Sequence, residues 1–84
     1  MNKFLITVII PTADLEFDIY IPNARKVGTV KKYILEAISE LTDKGYNKTI
    51  DEVRIIDRKN SIEYDNNVYV KDTDIKNGTK LIII

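Results

Sequence analysis

The sequence predicts an α+β domain: one amphipathic helix laid across a mixed β-sheet. Three observations carry this. Near the start, two alternating segments are separated by only a short turn, the pattern of an antiparallel hairpin. A single later stretch switches to a helical period. The remainder returns to short extended segments and closes on Lys80-Leu81-Ile82-Ile83-Ile84. A sheet with one apolar face must be covered, and one helix can do so. The 84 residues read as a single domain, 1–84, with no internal repeat, linker or low-complexity run.

The hairpin comes first. From Lys3 to Ile10, Phe4, Ile6, Val8 and Ile10 share one face, and Leu5, Thr7 and Ile9 the other. Both faces are largely apolar, which suits a central strand. Pro11 to Asp14 make the turn. From Glu16 to Ile21, Phe17, Ile19 and Ile21 point inward, while Glu16, Asp18 and Tyr20 point outward. Pro22 and Asn23 end the strand. The helix then places Val30, Tyr33, Ile34, Ala37, Ile38 and Leu41 at helical spacing. Thr29 is the expected N-cap, with Val27 stapled ahead of it. Lys44 and Gly45 are the C-terminal signal.

Tyr46 to Asp51 read as a polar crossing. Glu52 to Arg58 read as a third strand, with Val53 and Ile55 on one face and Arg54 and Ile56 on the other. Lys59-Asn60 turns the chain into a fourth, short strand, Ser61 to Tyr64. After a turn at Asp65-Asn66-Asn67, Val68 to Val70 reads as a brief strand or an extended link. Asp72 and Asp74 are expected to cap a helical turn holding Ile75. Asn77-Gly78 is a strong turn signal before the last strand, Lys80 to Ile84. In this order of elements the fold is a β-grasp, ββαββ(short helical turn)β, with the first and last strands parallel at the centre.

Composition narrows the function. The chain has no cysteine, so disulfides, thiol chemistry and cysteine metal sites are excluded. It has no histidine, the usual general base and commonest metal ligand. No enzyme, cofactor or metal is expected. Thirteen basic and thirteen acidic side chains cancel, leaving no net basic footprint for nucleic acid. The apolar run after Lys3 ends at Pro11 without a cleavage site, and reads as a strand rather than a signal peptide. No stretch approaches the ~20 apolar residues of a membrane span. A cytoplasmic protein without direct membrane insertion is expected, as a monomer or weak homo-oligomer.

The spacings resemble those of ubiquitin. Ile21 and Val27 are six apart, as are the last core residue of ubiquitin's second strand and the first of its helix. Val27, Val30 and Ile34 repeat its helix-core spacing. Ile55 and Ile62 are seven apart, like the core positions of its third and fourth strands. Val70-Lys71-Asp72-Thr73-Asp74-Ile75 is similar to its Leu-Ser-Asp-Tyr-Asn-Ile turn, and the count from Ile75 to Leu81 agrees. The chain departs from ubiquitin and the sulfur carriers at its end, where no Gly-Gly tail follows the final strand. The expectation is that it is not conjugated.

A short, tailless ubiquitin-like chain resembles the YukD/EsaB family, small cytosolic accessory proteins of bacterial type VII (ESX-like, Ess/Yuk) secretion systems. The shared closing pattern is Asp-x-x-Ile-x-x-Gly-x-x-Leu-x-Ile, here Asp72, Ile75, Gly78, Leu81 and Ile83. The resemblance implies a protein partner: a membrane-embedded secretion component or its cytosolic ATPase, with the chain peripheral to the inner face of the membrane through that partner. The motifs are packing positions and imply no catalytic residues. A ubiquitin-like adaptor or scaffold of an unrelated cytoplasmic complex is the other reading.

Two surfaces are candidates for docking. Leu81 and Ile83 turn inward, so Ile56, Ile82 and Ile84 turn outward, joined by Leu5 or Ile9. A contiguous outward apolar group marks an interaction face, and ubiquitin uses the matching face around an isoleucine aligned with Ile56. The second candidate is the basic cluster Arg25, Lys26, Lys31 and Lys32 at the helix start, an ordinary charged surface or an anion site helped by the helix N-terminus. Glu36 and Glu40 read as a solvated stripe beside Lys32 and Lys44. Tyr20, Tyr64 and Tyr69 are not interleaved with basic residues as a base-stacking surface would require.

Overall fold

A computed structural model describes residues 2–41 and 48–84. Strand β1 (Lys3–Ile10) and strand β2 (Leu15–Pro22) form the expected hairpin, paired from Lys3↔Pro22 to Ile10↔Leu15. One 3-10 turn, Pro11–Ala13, joins them, and Asp14 closes it in the left-handed region at φ 51°. Aspartate is among the few residues with a side chain that tolerate that conformation. Helix α1 (Val27–Leu41) follows, then strands β3 (Ile55–Asp57) and β4 (Lys80–Ile83). The sheet is four-stranded in the order β2-β1-β4-β3. β1 and β4 are parallel, and β4 and β3 antiparallel. Central placement explains why β1 is apolar on both faces.

One face of the sheet and one stripe of α1 make the core. Ile6, Val8, Ile10, Ile21, Ile55, Leu81 and Ile83 meet Val27, Val30, Ile34 and Ile38 in a single buried cluster. The stripe differs from the predicted one. Tyr33 and Leu41 are 38% and 56% exposed, whereas Lys31 and Leu35 are buried. The helix is rolled so that its inward line runs through positions 27, 30, 31, 34, 35 and 38.

The helix start also differs. α1 begins at Val27, inside which Thr29 is already helical, so neither the Thr29 cap nor a staple by Val27 forms. The orphan N–H groups of Val27 and Gly28 donate instead to the carbonyls of Val68 and Asn66, at 2.8 and 3.0 Å. Glycine at position 28 eases this approach, because a Cβ there would lie 3.2 Å from both Asn66 Cβ and Asn66 O, a tight contact that Asn66 would have to yield to. The predicted C-terminal signal, Lys44-Gly45, lies outside the described residues, as does the first part of the crossing.

The second half of the sheet is shorter than predicted. β3 holds three residues, although Arg54 and Ile84 exchange backbone hydrogen bonds at 2.7 and 3.1 Å and carry the pairing one step further. Ser61 to Tyr64 is no strand. It makes a single bridge, Ile56↔Glu63. Asp57 causes this: its Oδ1 accepts the N–H groups of Lys59 and Asn60 at 2.8 and 3.2 Å, winding a tight turn that leaves Ser61 at φ 56°. The extra turn alters the register. Ile62 is 42% exposed, and Tyr64, 8% exposed, takes the core place instead.

The aspartate caps are likewise replaced. The 3-10 turn is Val70–Asp72, ahead of the predicted turn, and Thr73 Oγ1 both donates to Val70 O at 2.6 Å and accepts from Ile75 N–H at 3.1 Å. Gly78 fulfils its turn at φ 87°, with its N–H on Leu5 O at 2.9 Å.

Ile34 is fully buried where α1 crosses the sheet. Ile34→Ala is expected to cost roughly 2–5 kcal/mol, and Tyr33→Ala, one residue away but half-exposed, less than about 1 kcal/mol. Urea denaturation of both variants checks this. Equal losses would mean that the helix presents a different face.

Candidate interaction surface

Side chains alternate along a strand, so the residues between the core positions face away from α1. The registers align them in rows. Ile9 lies beside Ile82, and Ile82 opposite Ile56. This row continues to Glu63 at one end and Glu16 at the other. Ile84 extends the apolar group along β4, opposite Arg54. Ile9, Ile56 and Ile82 are half-buried by one another, and Ile84 is exposed. Three of the four predicted members, Ile56, Ile82 and Ile84, are therefore brought together.

Leu5 is not brought to them. A polar row separates it: Asp18 opposite Thr7, and Thr7 beside Lys80. Thr7 Oγ1 donates to Asp18 Oδ1 at 2.7 Å. The member supplied by β1 is Ile9. Parallel register decides between the two, and no sequence signal carries it.

At the β3 edge Arg54 Nε and Nη2 both donate to Glu63 Oε1, at 3.0 and 2.7 Å. The hydrogen bond from Arg54 holds the Glu63 carboxyl below the usual carboxylate range. This pair is solvated and contributes little stability. It flanks the apolar row and neutralises that side of it.

The basic cluster does not assemble as predicted. Arg25, Lys26 and Lys32 are exposed, but Lys31 is 4% exposed. It sits on the inward line of α1, and its Nζ donates to Val53 O at 2.9 Å. Burial pushes its ammonium below the usual lysine range, against the opposing pull of Glu63, Asp51 and Asp65. Lys26 and Lys71 instead place their ammonium groups 5.9 and 5.8 Å from the Tyr69 ring centroid. With Val68 and Asn66 carbonyls on the first helical N–H groups, the helix start is closed to an anion. Glu36, Glu40 and Lys32 are exposed, and no ion pair joins them among the described residues.

Among the described residues, no group of three or more His, Cys, Asp or Glu side chains could hold a metal, and no helix is long and apolar enough to cross a membrane.

No protein-family model matches the chain, and no curated protein matches it in sequence. Solved structures do match in fold. The chain is similar to the ubiquitin-like domain of an Arabidopsis thaliana protein, with TM-score 0.77 and 16% identity over 100% of this chain and 78% of that one. It is similar to part of a chain in the crystal structure of ATBAG1 in complex with HSP70, with TM-score 0.73 and 12% identity over 96% of this chain and 39% of that one. It is also similar to part of a chain of the MycP5-free ESX-5 inner membrane complex, with TM-score 0.77 and 11% identity over 100% of this chain and 21% of that one. The β-grasp of this chain is the ubiquitin-like fold.

Tyr64 is the buried titratable group beneath the β3 edge. Its hydroxyl donates to Asp57 Oδ2 at 3.3 Å. Burial first, then the Asp57 charge and hydrogen bond, push its pKa up from 10.0 to about 12. A folded-state value above the unfolded one means that the neutral phenol supports the fold fully below pH 10 and that this support is lost as pH rises toward about 12. Denaturant midpoints of the parent should fall through that window more steeply than those of Tyr64→Phe. Parallel profiles would contradict the burial of the phenol.

Proposed function

We propose that the chain is a non-catalytic protein-interaction module that docks through the outer sheet face. Its setting is a bacterial type VII, ESX-like secretion assembly, at the inner face of the membrane through its partner. The observation that carries the docking is the unbroken apolar row Ile9–Ile82–Ile56 with Ile84 beside it. Side chains on this face do not serve the helix-to-sheet core, which is complete without them. The closing pattern from Asp72 to Ile83 and the likeness to part of an ESX-5 inner membrane complex support the setting. The absence of histidine and cysteine supports the non-catalytic reading. The likeness to part of a chain in the structure of ATBAG1 with HSP70 supports the second reading, an adaptor of an unrelated complex.

Magnitudes set the expected affinity. Covering a few hundred Å² of apolar surface at ~25 cal/mol/Å² is worth several kcal/mol, much of which lost translational and rotational freedom offsets. Apolar contact alone gives weak binding, strengthened where several copies sit on one assembly.

The tagged protein, recovered from detergent-solubilised membranes of its own cells, is expected to bring an FtsK/SpoIIIE-type ATPase with it. Ile56→Asp should keep the parent's circular dichroism yet recover none, and Ile84→Asp should behave alike. Recovery with a soluble complex alone would favour the adaptor reading. Undiminished recovery by folded Ile56→Asp would move docking to another face.

A further inference from the structure

We propose that the cleft at the Arg58/Lys80 end of the sheet receives the acidic stretch of an extended partner segment whose apolar stretch covers Ile56 and Ile82. This rests on the docking reading above and names the chemistry of the partner.

The cleft, of about 770 Å³, lies between the turn after β3 and the turn before β4. Arg58, Lys59, Lys76 and Lys80 line it, with Asp57 and Asp74 as its two carboxylates. Arg58 N–H donates to Lys80 O at 3.0 Å, which sets these two cations opposite one another where β3 ends and β4 begins. Like charges in that relation destabilise a sheet. Among the described residues no salt bridge relieves them, the ion pair there being Arg54–Glu63. Asp57 is already committed, with its Oδ1 on the Lys59 and Asn60 N–H groups and its Oδ2 on the Tyr64 hydroxyl. Four cations therefore face one available carboxylate, Asp74.

Through Lys80, which lines the cleft two residues before Ile82 on β4, the cleft adjoins the apolar row. Lys80 and Ile82 share a face of β4, ~7 Å apart along the strand, and Arg58, directly after β3, is held beside Lys80 by its N–H on Lys80 O. A segment lying along β4 passes from apolar to cationic surface within two residues. The far edge carries Glu16 and Asp18 on β2, which repel an acidic segment and hold it on the β3–β4 side.

The backbone argues for an acidic peptide over a compact anion. The N–H groups of Lys59, Asn60, Lys76, Gly78 and Thr79 are all bonded within the chain, so the turns offer no nest of free donors for a phosphate. Among the described residues no aromatic side chain lines the cleft to stack a nucleic-acid base. What remains is a rim of flexible ammonium and guanidinium groups, suited to carboxylates spaced along a strand.

The test is a titration of the ¹⁵N-labelled full chain with a capped peptide of four glutamates followed by Val-Ile-Val. Amides at 58–60 and 76–80 should shift together with those of Ile56 and Ile82. Lys76→Glu/Lys80→Glu, and replacement of the glutamates by glutamines, should each weaken binding by at least about tenfold. Lys76→Gln/Lys80→Gln is the milder variant should charge reversal disturb the turn. Equal binding of the glutamine peptide, or of folded charge variants, overturns the inference. So does tighter binding of inorganic phosphate or oligothymidine at the same amides. Weakening by Ile56→Asp without weakening by the charge variants leaves the docking face standing and removes the cleft. The converse pattern removes the docking face and keeps the cleft.

Discussion

The parallel pairing of β1 with β4 joins residues more than seventy positions apart, Thr7 beside Lys80 and Ile9 beside Ile82. Closing so long a loop is entropically costly, and the pairing holds because both strands bury one face under α1. Val8 and Leu81 lie side by side and fully buried. The same register necessarily sets Ile9 beside Ile82 on the opposite face, since a strand cannot bury one set of side chains without presenting the alternate set. The core thus dictates the composition of the outer surface. It also brings the turns at 58–60 and 76–79 to one end of the sheet, where their cations share a cleft.

Much of the fold was legible because it rests on periodicity. The β1–β2 hairpin, the helix, the Asn77-Gly78 turn and the inward set Ile55, Leu81 and Ile83 all follow from alternation, helical spacing and turn chemistry. The fourth strand was not legible. Its alternation was real, but Asp57 folds its side chain back onto the next two N–H groups and spends residues on a turn. A single aspartate thereby exchanges Ile62 for Tyr64 in the core, and no hydrophobic pattern foretells that. The outward isoleucines were legible from parity within each strand. Whether Leu5 or Ile9 completes them depended on the β1–β4 register, which is tertiary information.

The helix start shows the same limit. The sequence offers Thr29 as a side-chain cap. The cap is supplied by main-chain carbonyls of Asn66 and Val68, some forty residues away in sequence. Local chemistry left one trace, Gly28, whose missing Cβ makes room for Asn66. Lys31 was misplaced for a related reason. Its charge reads as surface, yet its carbon stem lies on the inward line of α1 and its ammonium reaches a carbonyl at the rim of the core. Charge identity therefore located the outer cations poorly. Arg58 and Lys80 come together through strand register instead.

The two faces of the one sheet divide in role: one holds the fold, and the other is the face proposed to dock. Isoleucine populates both, so methyl-labelled isoleucine spectra read the division directly. On addition of the membrane complex recovered with the tagged protein, the methyl signals of Ile9, Ile56, Ile82 and Ile84 should broaden or shift. Those of Ile6, Ile10, Ile34, Ile55 and Ile83, all buried between α1 and the sheet, should stay in place. A response confined to Ile62 or to the helix side, or no response from the outer four, would contradict the account.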